Sequence, residues 1–443
     1  MFYRFVQAVI HFAIGLFYRL KVDGRTDFGG PIIFVGNHPN SLIDAAMLFV
    51  LSERRITFLA KEPLFRTPVF GWLLSGLGAL PVYRKQDAPT RMGGNEGTFE
   101  TAAEALAEAR AITLFPEGKS HSEPQLAEIK TGCARIAFRA LAKGARGLRI
   151  VPIGLTYSDK HRFRSWVFVD VGQPIEVEKF APMPEEDEAE AVRALTAAVA
   201  DGLRQVTLNL EQWEDLRVVE TAEQLYSIRL GERPRDPERI RRFAKGLELF
   251  RREQPERYQK LRAELSSFRR RLDLVQAAPK DLVLQYRSSE VSRFVLRNAA
   301  ALLFGFPLFL LGCVVFFVPF MAARMTARVV KVLPDRVATL KLVSALILAP
   351  LWWTGLTVVA WLWGGLGWGL FALFAALPLA LYTRYFLERR KSALRDIVVF
   401  FALGSRARLK SRLLLEGEKL AQEIEALAAE YRPRVVTEVA SQA

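Results

Sequence analysis

Ile32-Ile33-Phe34-Val35 runs without a break into Gly36-Asn37-His38-Pro39-Asn40-Ser41-Leu42-Ile43-Asp44. Four β-branched and aromatic residues ending at a glycine read as a buried strand, and the polar stretch after them as the loop at its carboxyl end. In α/β folds ligands gather outside the carboxyl ends of strands, so His38 stands where a site residue would. Asp44 comes six positions later, which on one continuous helix is about 120° around the axis. A direct contact therefore requires His38 in a loop and a helix that begins only after Pro39. Ser41-Leu42-Ile43-Asp44 also fits a capping box, in which Asp44 merely closes a helix end. These residues alone leave both readings open.

Working outward, short apolar runs alternate with helical patterns over the first half of the chain. Strands are predicted at Ile32 to Val35, Ile56 to Leu59, Ala79 to Tyr83, Ile112 to Phe115, Ile150 to Thr156 and Trp166 to Val171. Helices are predicted near 42–52, 95–109, 125–143 and 188–210. The alternation defines an α/β class, with a mixed sheet flanked by helices. Gly93-Gly94-Asn95-Glu96-Gly97 reads as a flexible loop.

No GxSxG elbow, GxxxxGK[ST] loop, HExxH or Cys/His cluster is present, so serine-hydrolase, P-loop and zinc mechanisms have no anchor. Instead, three more strand ends carry polar or small residues. Gly78-Ala79-Leu80-Pro81-Val82-Tyr83-Arg84-Lys85 ends in two cations. Leu114-Phe115-Pro116-Glu117-Gly118-Lys119-Ser120-His121 emerges into a turn and is followed by Ile129-Lys130-Thr131-Gly132; the fourth block is Ile150-Val151-Pro152-Ile153-Gly154-Leu155. In this order, and over residues 25–215, the four blocks resemble the glycerolipid (PlsC-like) acyltransferase family. Five residues, Pro39 to Ile43, separate His38 from Asp44 where the family usually has four. That spacing and the FPEG-x-SH form are more similar to the branch of fungal glycerol-3-phosphate and dihydroxyacetone-phosphate acyltransferases. Lys119 and Ser120 stand where the usual motif has Thr and a phosphate-binding Arg.

The resemblance implies His38 as general base and Asp44 as the carboxylate that orients it. It implies Arg84 as the leading phosphate cation, with Glu117 and Gly118 shaping the site and Lys61, Lys119 and Lys130 as further basic groups. An imidazole of ordinary pKa near 6.5 suits proton removal from a hydroxyl at neutral pH. No cofactor is expected. The acyl donor would be acyl-CoA or acyl carrier protein, and the acceptor glycerol-3-phosphate, dihydroxyacetone phosphate, lysophosphatidate or another lysophospholipid. A catalytically silent membrane scaffold is the reading from outside the enzyme class.

Across its 443 residues the chain carries 62 Lys and Arg against 47 Asp and Glu, a net +15. Such a charge asks for an anionic partner, and its distribution favours anionic membrane lipids over nucleic acid. The 25 residues from Ala299 to Ala323 and the 42 from Leu342 to Thr383 are uncharged. A crossing takes about 20 helical residues, so the longer run reads as a hairpin turning in the Gly364, Gly365, Gly367, Gly369 cluster. Pro307 and Pro319 weaken the shorter one, which reads as kinked and re-entrant. Between them Arg324, Arg328, Lys331, Arg336 and Lys341 face a single Asp335, which places connector and tail on the cytoplasmic face; with the catalytic domain expected there too, the shorter run enters and leaves on one side, whereas three plain crossings would put the connector outside. Phe2, Phe5, Val6, Val9, Phe12, Ala13, Leu16 and Phe17 form a helical stripe opposite Arg4, Gln7 and His11, either an in-plane anchor or a helix packed on the domain. The predicted organisation is an anchor helix over 1–22, an acyltransferase domain over 23–215, a charged helical region over 216–298, a membrane-embedded region over 299–387 and a basic helical tail over 388–443.

Overall fold

The computed structural model describes the chain except residues 53, 84–94, 182–186, 209, 211, 233, 235, 284–287, 331–333, 405–406 and 442–443. Two compact units emerge. One comprises Met1–Glu211 with Val332–Leu342, the other Gln212–Lys331 with Val343–Ser441.

The first unit is built from α1 (Phe2–Phe17), β1 (Tyr18–Asp23), β2 (Ile32–Gly36), α2 (Leu42–Leu51), β3 (Ile56–Lys61), α3 (Pro68–Leu77) and β4 (Leu80–Val82). It continues through α4 (Asn95–Ala107), β5 (Ala111–Leu114), α5 (Gly132–Ala142), β6 (Arg149–Tyr157), β7 (Ser165–Val171), β8 (Ile175–Glu176) and α6 (Glu188–Val206). The strands form one mixed sheet in the order β1-β7-β6-β2-β5-β3-β4, with β8 beside β6. From β6 to β4 every neighbouring pair is parallel, while β7 runs antiparallel to β6.

Strand β2 shows why the sheet has two covered faces. Ile32 and Phe34 enter the core that includes Ile14 of α1 and Ile43, Met47 and Leu48 of α2. Ile33 and Val35 point the other way, into Ala103, Leu106, Ile136 and Leu203 of α4, α5 and α6. Alternate residues of a strand face opposite sides, and each fully buried Ile or Val contributes roughly 1.5–3 kcal/mol. This explains a continuous apolar run in place of an alternating one.

Several expectations need correction. The N-terminal stripe is divided: Val6, Ala13 and Phe17 are buried together with Ile14 from outside it, while Phe5, Val9 and Phe12 are exposed. Gln7 faces inward, its amide donating to the carbonyls of Phe49 (3.1 Å) and Ser52 (2.9 Å). The anchor expected over 1–22 ends at Phe17, and the next six residues pair with β7 as an edge strand. Its alternation is only partial, which hid it. Helix α5 begins at Gly132, so 125–131 is loop. Asn95, Glu96 and Gly97 open α4; Gly93 and Gly94 lie outside the described residues.

The second unit holds α7 (Trp213–Arg229), α8 (Pro237–Glu253), α9 (Pro255–Leu274), α10 (Pro279–Val283), α11 (Ser288–Val315), α12 (Phe317–Val329), most of α13 (Val337–Gly404) and α14 (Ala407–Ser441). The predicted charged region and tail are one bundle: Leu225, Phe250, Leu265 and Phe268 share a core with Leu413, Leu420 and Ile424. Within it Arg239 pairs with Glu223 at 3.0 Å, Arg262 with Asp215 at 2.9 Å, and Arg229 with Glu425.

Among the described residues, the stretch Pro334–Arg390 is long and apolar enough to cross a membrane. It breaks at Gly365, where φ is 76°, a left-handed conformation glycine tolerates without strain. The Trp353 indole donates to the Leu373 carbonyl at 3.1 Å. On a straight helix those residues would be about 30 Å apart, so the arms fold back on each other. The stretch Leu303–Val315 meets Phe317–Thr326 at 53°. The break falls at Phe316; α11 continues through Pro307, and Pro319 sits in the first turn of α12, where a missing N–H is harmless.

Candidate active site

Because β6, β2, β5, β3 and β4 are parallel, their carboxyl ends lie along one edge of the sheet. His38 follows β2, Phe115 to Lys119 follow β5, Lys61 closes β3, Tyr83 follows β4 and Tyr157 closes β6. The blocks are far apart in sequence and are gathered by topology alone. His38 and Glu117 follow neighbouring strands; β4 is three strands from β2, about 14 Å along the edge.

The His38 Nδ1 lies 3.0 Å from Asp44 Oδ2. His38 sits in the loop and α2 starts at Leu42, so the two side chains approach from different elements. Asp44 is fully buried. Its Oδ2 also accepts the Asn40 N–H at 2.6 Å, and its Oδ1 accepts the Tyr157 hydroxyl at 2.6 Å. A buried carboxylate needs such donors to stay ionised. Because it only accepts, the proton between the residues belongs on His38 Nδ1, leaving the lone pair on Nε2. The capping-box reading fails in its detail: Ser41, at φ 50°, makes no side-chain cap bond, and Asp44 reaches back to Asn40 instead.

The imidazole is held in plane by Phe115, whose ring stacks on it at 4.0 Å and 10°. Its backbone is gripped from both ends. The His38 N–H donates to Glu117 Oε1 at 2.8 Å, and the His38 carbonyl accepts the His121 N–H at 3.1 Å. Glu117 is 2% exposed. Its other oxygen receives the His121 ring Nε2 and, at 3.1 Å, the Ala127 N–H. Glu117 therefore ties the first block to the third. Gly118 has φ 69°, the conformation that favours glycine in the turn.

The remaining predicted cations are less converged. Lys130 is exposed and pairs with Glu128 at 2.5 Å, while its backbone N–H donates to the Pro116 carbonyl at 2.8 Å. Lys119 is exposed, and Lys61 lies two strands from β2. Arg84 lies outside the described residues.

Sequence reasoning missed Asn40, Tyr18, Tyr157 and Lys160. The Asn40 amide donates to the Tyr18 hydroxyl at 3.1 Å, which donates to the Lys160 carbonyl at 2.7 Å. Burial pushes both tyrosine hydroxyls well above their ordinary range, and the Asp44 charge adds to this. They stay protonated and remain donors. The Lys160 ammonium lies 3.4 Å from the Ser122 hydroxyl; burial lowers its pKa against the opposing pull of Asp44, Asp335 and Glu123. Lys160 follows β6, adjacent to β2, and no motif marks it. Among the described residues no three His, Cys, Asp or Glu side chains gather so as to hold a metal ion.

Residues 19–156 match the Acyltransferase family model. Glycerol-3-phosphate O-acyltransferase 1 of Saccharomyces cerevisiae is 27% identical over 326 residues, covering 52% of this chain and 43% of that protein. Glycerol-3-phosphate O-acyltransferase 2 of the same yeast is 34% identical over 134 residues, 30% of this chain and 18% of that one. The chloroplastic 1-acyl-sn-glycerol-3-phosphate acyltransferase LPAT1 of Arabidopsis thaliana is 27% identical over 147 residues, 32% of this chain and 38% of the plant protein. In each case the match spans less than half the relative's length.

Proposed function

We propose that the chain transfers a fatty acyl group from acyl-CoA or acyl carrier protein to a hydroxyl of glycerol-3-phosphate, with dihydroxyacetone phosphate as a second acceptor. The observation that carries this reading is the 3.0 Å contact of His38 Nδ1 with a buried Asp44. His38 Nε2 takes the hydroxyl proton as oxygen attacks the thioester carbonyl. The tetrahedral intermediate expels the thiolate, which recovers that proton from the imidazolium. Asp44 keeps the tautomer and stabilises the transient positive charge. General-base catalysis of this kind is worth roughly 10²–10⁴ in rate.

Phosphate recognition falls to Arg84, Lys61, Lys119 and Lys130 as read from the motifs, and to Lys160 by its place beside the His38 strand. The apolar hairpin and bent pair anchor the enzyme, with the catalytic unit on the cytoplasmic face where soluble thioesters are available. The exposed Phe5, Phe12 and Trp72 suit contact with lipid.

Lysophosphatidate as acceptor is the second reading, favoured by the similarity to the chloroplast relative, whose name specifies that substrate. An acceptor panel with labelled acyl thioester separates the two. Acylated glycerol-3-phosphate from the wild type, abolished in His38→Ala, is the expected result. Transfer to lysophosphatidate alone would select the second reading, and transfer to neither acceptor by folded protein would leave the scaffold.

A further inference from the structure

The connector between the two apolar stretches reads, in sequence, as a basic loop that does no more than set topology. In the structure, part of it belongs to the catalytic unit. Residues 334–336 form a short 3-10 turn and the first residues of α13 follow. Ala338 is fully buried in the core shared by Tyr18, Ile43 and Tyr157, and Leu342 packs against that core. The Lys341 ammonium donates to the His161 carbonyl at 3.0 Å. Asp335, 4% exposed, accepts a hydrogen bond from the Ser120 hydroxyl, 215 residues away in sequence.

Ser120 is not an arbitrary anchor point. It precedes His121, whose N–H holds the His38 carbonyl and whose ring meets Glu117; Glu117 in turn holds the His38 N–H. Asp335 thus fixes the turn whose two contacts set the backbone position of His38. A solvated basic loop has no use for a buried aspartate. It also has no reason to place an alanine in another element's core.

We propose that the 334–342 part of this connector is an integral part of the catalytic site and that Asp335 is a positioning residue acting through Ser120 on the His38 turn. The acyltransferase domain read from its motifs is then incomplete without a segment contributed from between its apolar helices. This rests on the acyl-transfer reading for its kinetic consequence but not for its structural one.

The test uses the full-length chain in lipid nanodiscs. Asp335→Ala and Ser120→Ala should each lower kcat by about tenfold or more through misplacement of the base, with acceptor KM changed by less than about twofold. The double variant should be no slower than the slower single one, since both remove the same contact. Asp335→Asn, which keeps an oxygen able to accept from Ser120, should retain kcat within about threefold. In parallel, hydrogen exchange of the segments holding His38 and His121 should speed up in the two alanine variants. Multiplicative kinetic effects, or wild-type kcat together with wild-type exchange, would overturn the proposal. If Asp335→Ala does not fold, Ser120→Ala and Asp335→Asn decide it alone. Faster exchange in a protein whose wild type transfers no acyl group would instead refute the functional reading and leave the positioning role standing.

Discussion

Nδ1 of His38 stands 3.0 Å from Oδ2 of Asp44, although five residues separate them and only one of the two is helical. The contact exists because the chain reverses at Asn40 and Ser41, and because Asn40 and Tyr157 supply the carboxylate's other donors. Asp44→Asn would present an amide to three groups that donate. We expect kcat to fall by about 10³-fold or more, as severely as in His38→Ala, with the hairpin and bundle still folded. A rate within tenfold of wild type, measured on protein of unchanged circular dichroism, would remove His38–Asp44 from the chemistry.

Tyr157 carries a second prediction, which has a pH signature. Its hydroxyl stays protonated because burial, and then the Asp44 charge, disfavour the phenolate. The unfolded chain ionises this tyrosine near pH 10. With the folded value raised, the stabilisation is fully present below about pH 10 and is lost as pH rises beyond it. Tyr157→Phe should lower Tm near pH 8 and flatten the fall of Tm above pH 10. Melting curves of wild type and variant that fall in parallel from pH 8 to 11.5 would contradict this.

Phosphate recognition separates into a motif-based and a structure-based expectation. Arg84→Ala should raise the KM for glycerol-3-phosphate by about tenfold with a smaller change in kcat, the pattern of lost uniform binding. Lys160→Met should do the same if the neighbouring strand supplies the nearer cation. Steady-state kinetics on both variants rank them, and an unchanged KM removes the residue concerned from the phosphate site.

Packing of the apolar helices turns on small residues. A Cβ at Gly312 would come 1.8 Å from the Thr383 hydroxyl, whereas one at Gly355 would meet nothing within 4 Å. Close helix approach of this kind depends on glycine. Gly312→Leu should destabilise the second unit by about 1–3 kcal/mol, while Gly355→Leu should be neutral. Thermal unfolding in one detergent compares them directly, and equal effects would argue against the packing.

How much was legible in the sequence depended on the range of the interaction. The strand Ile32–Val35, the loop that presents His38, the turn at Gly365 and the α/β alternation follow from period, turn residues and apolar length, which are local properties. So do the four blocks that carry the family resemblance. Strand β1 was missed because the exposed half of an edge strand carries weak alternation, and 125–131 because its apolar spacing serves loop packing against α5.

The amino-acid sequence by itself determined which residues were available for chemistry: an imidazole, a carboxylate six positions on, and cations at strand ends. Only the tertiary structure decided how they are used. It set His38 against Asp44, the Tyr157 hydroxyl on Asp44, Glu117 as a clamp on the His38 backbone, and Asp335 on Ser120. The reason is physical: hydrogen bonds between buried groups are directional and short-ranged, and their partners are brought together by the sheet order, which no local pattern encodes.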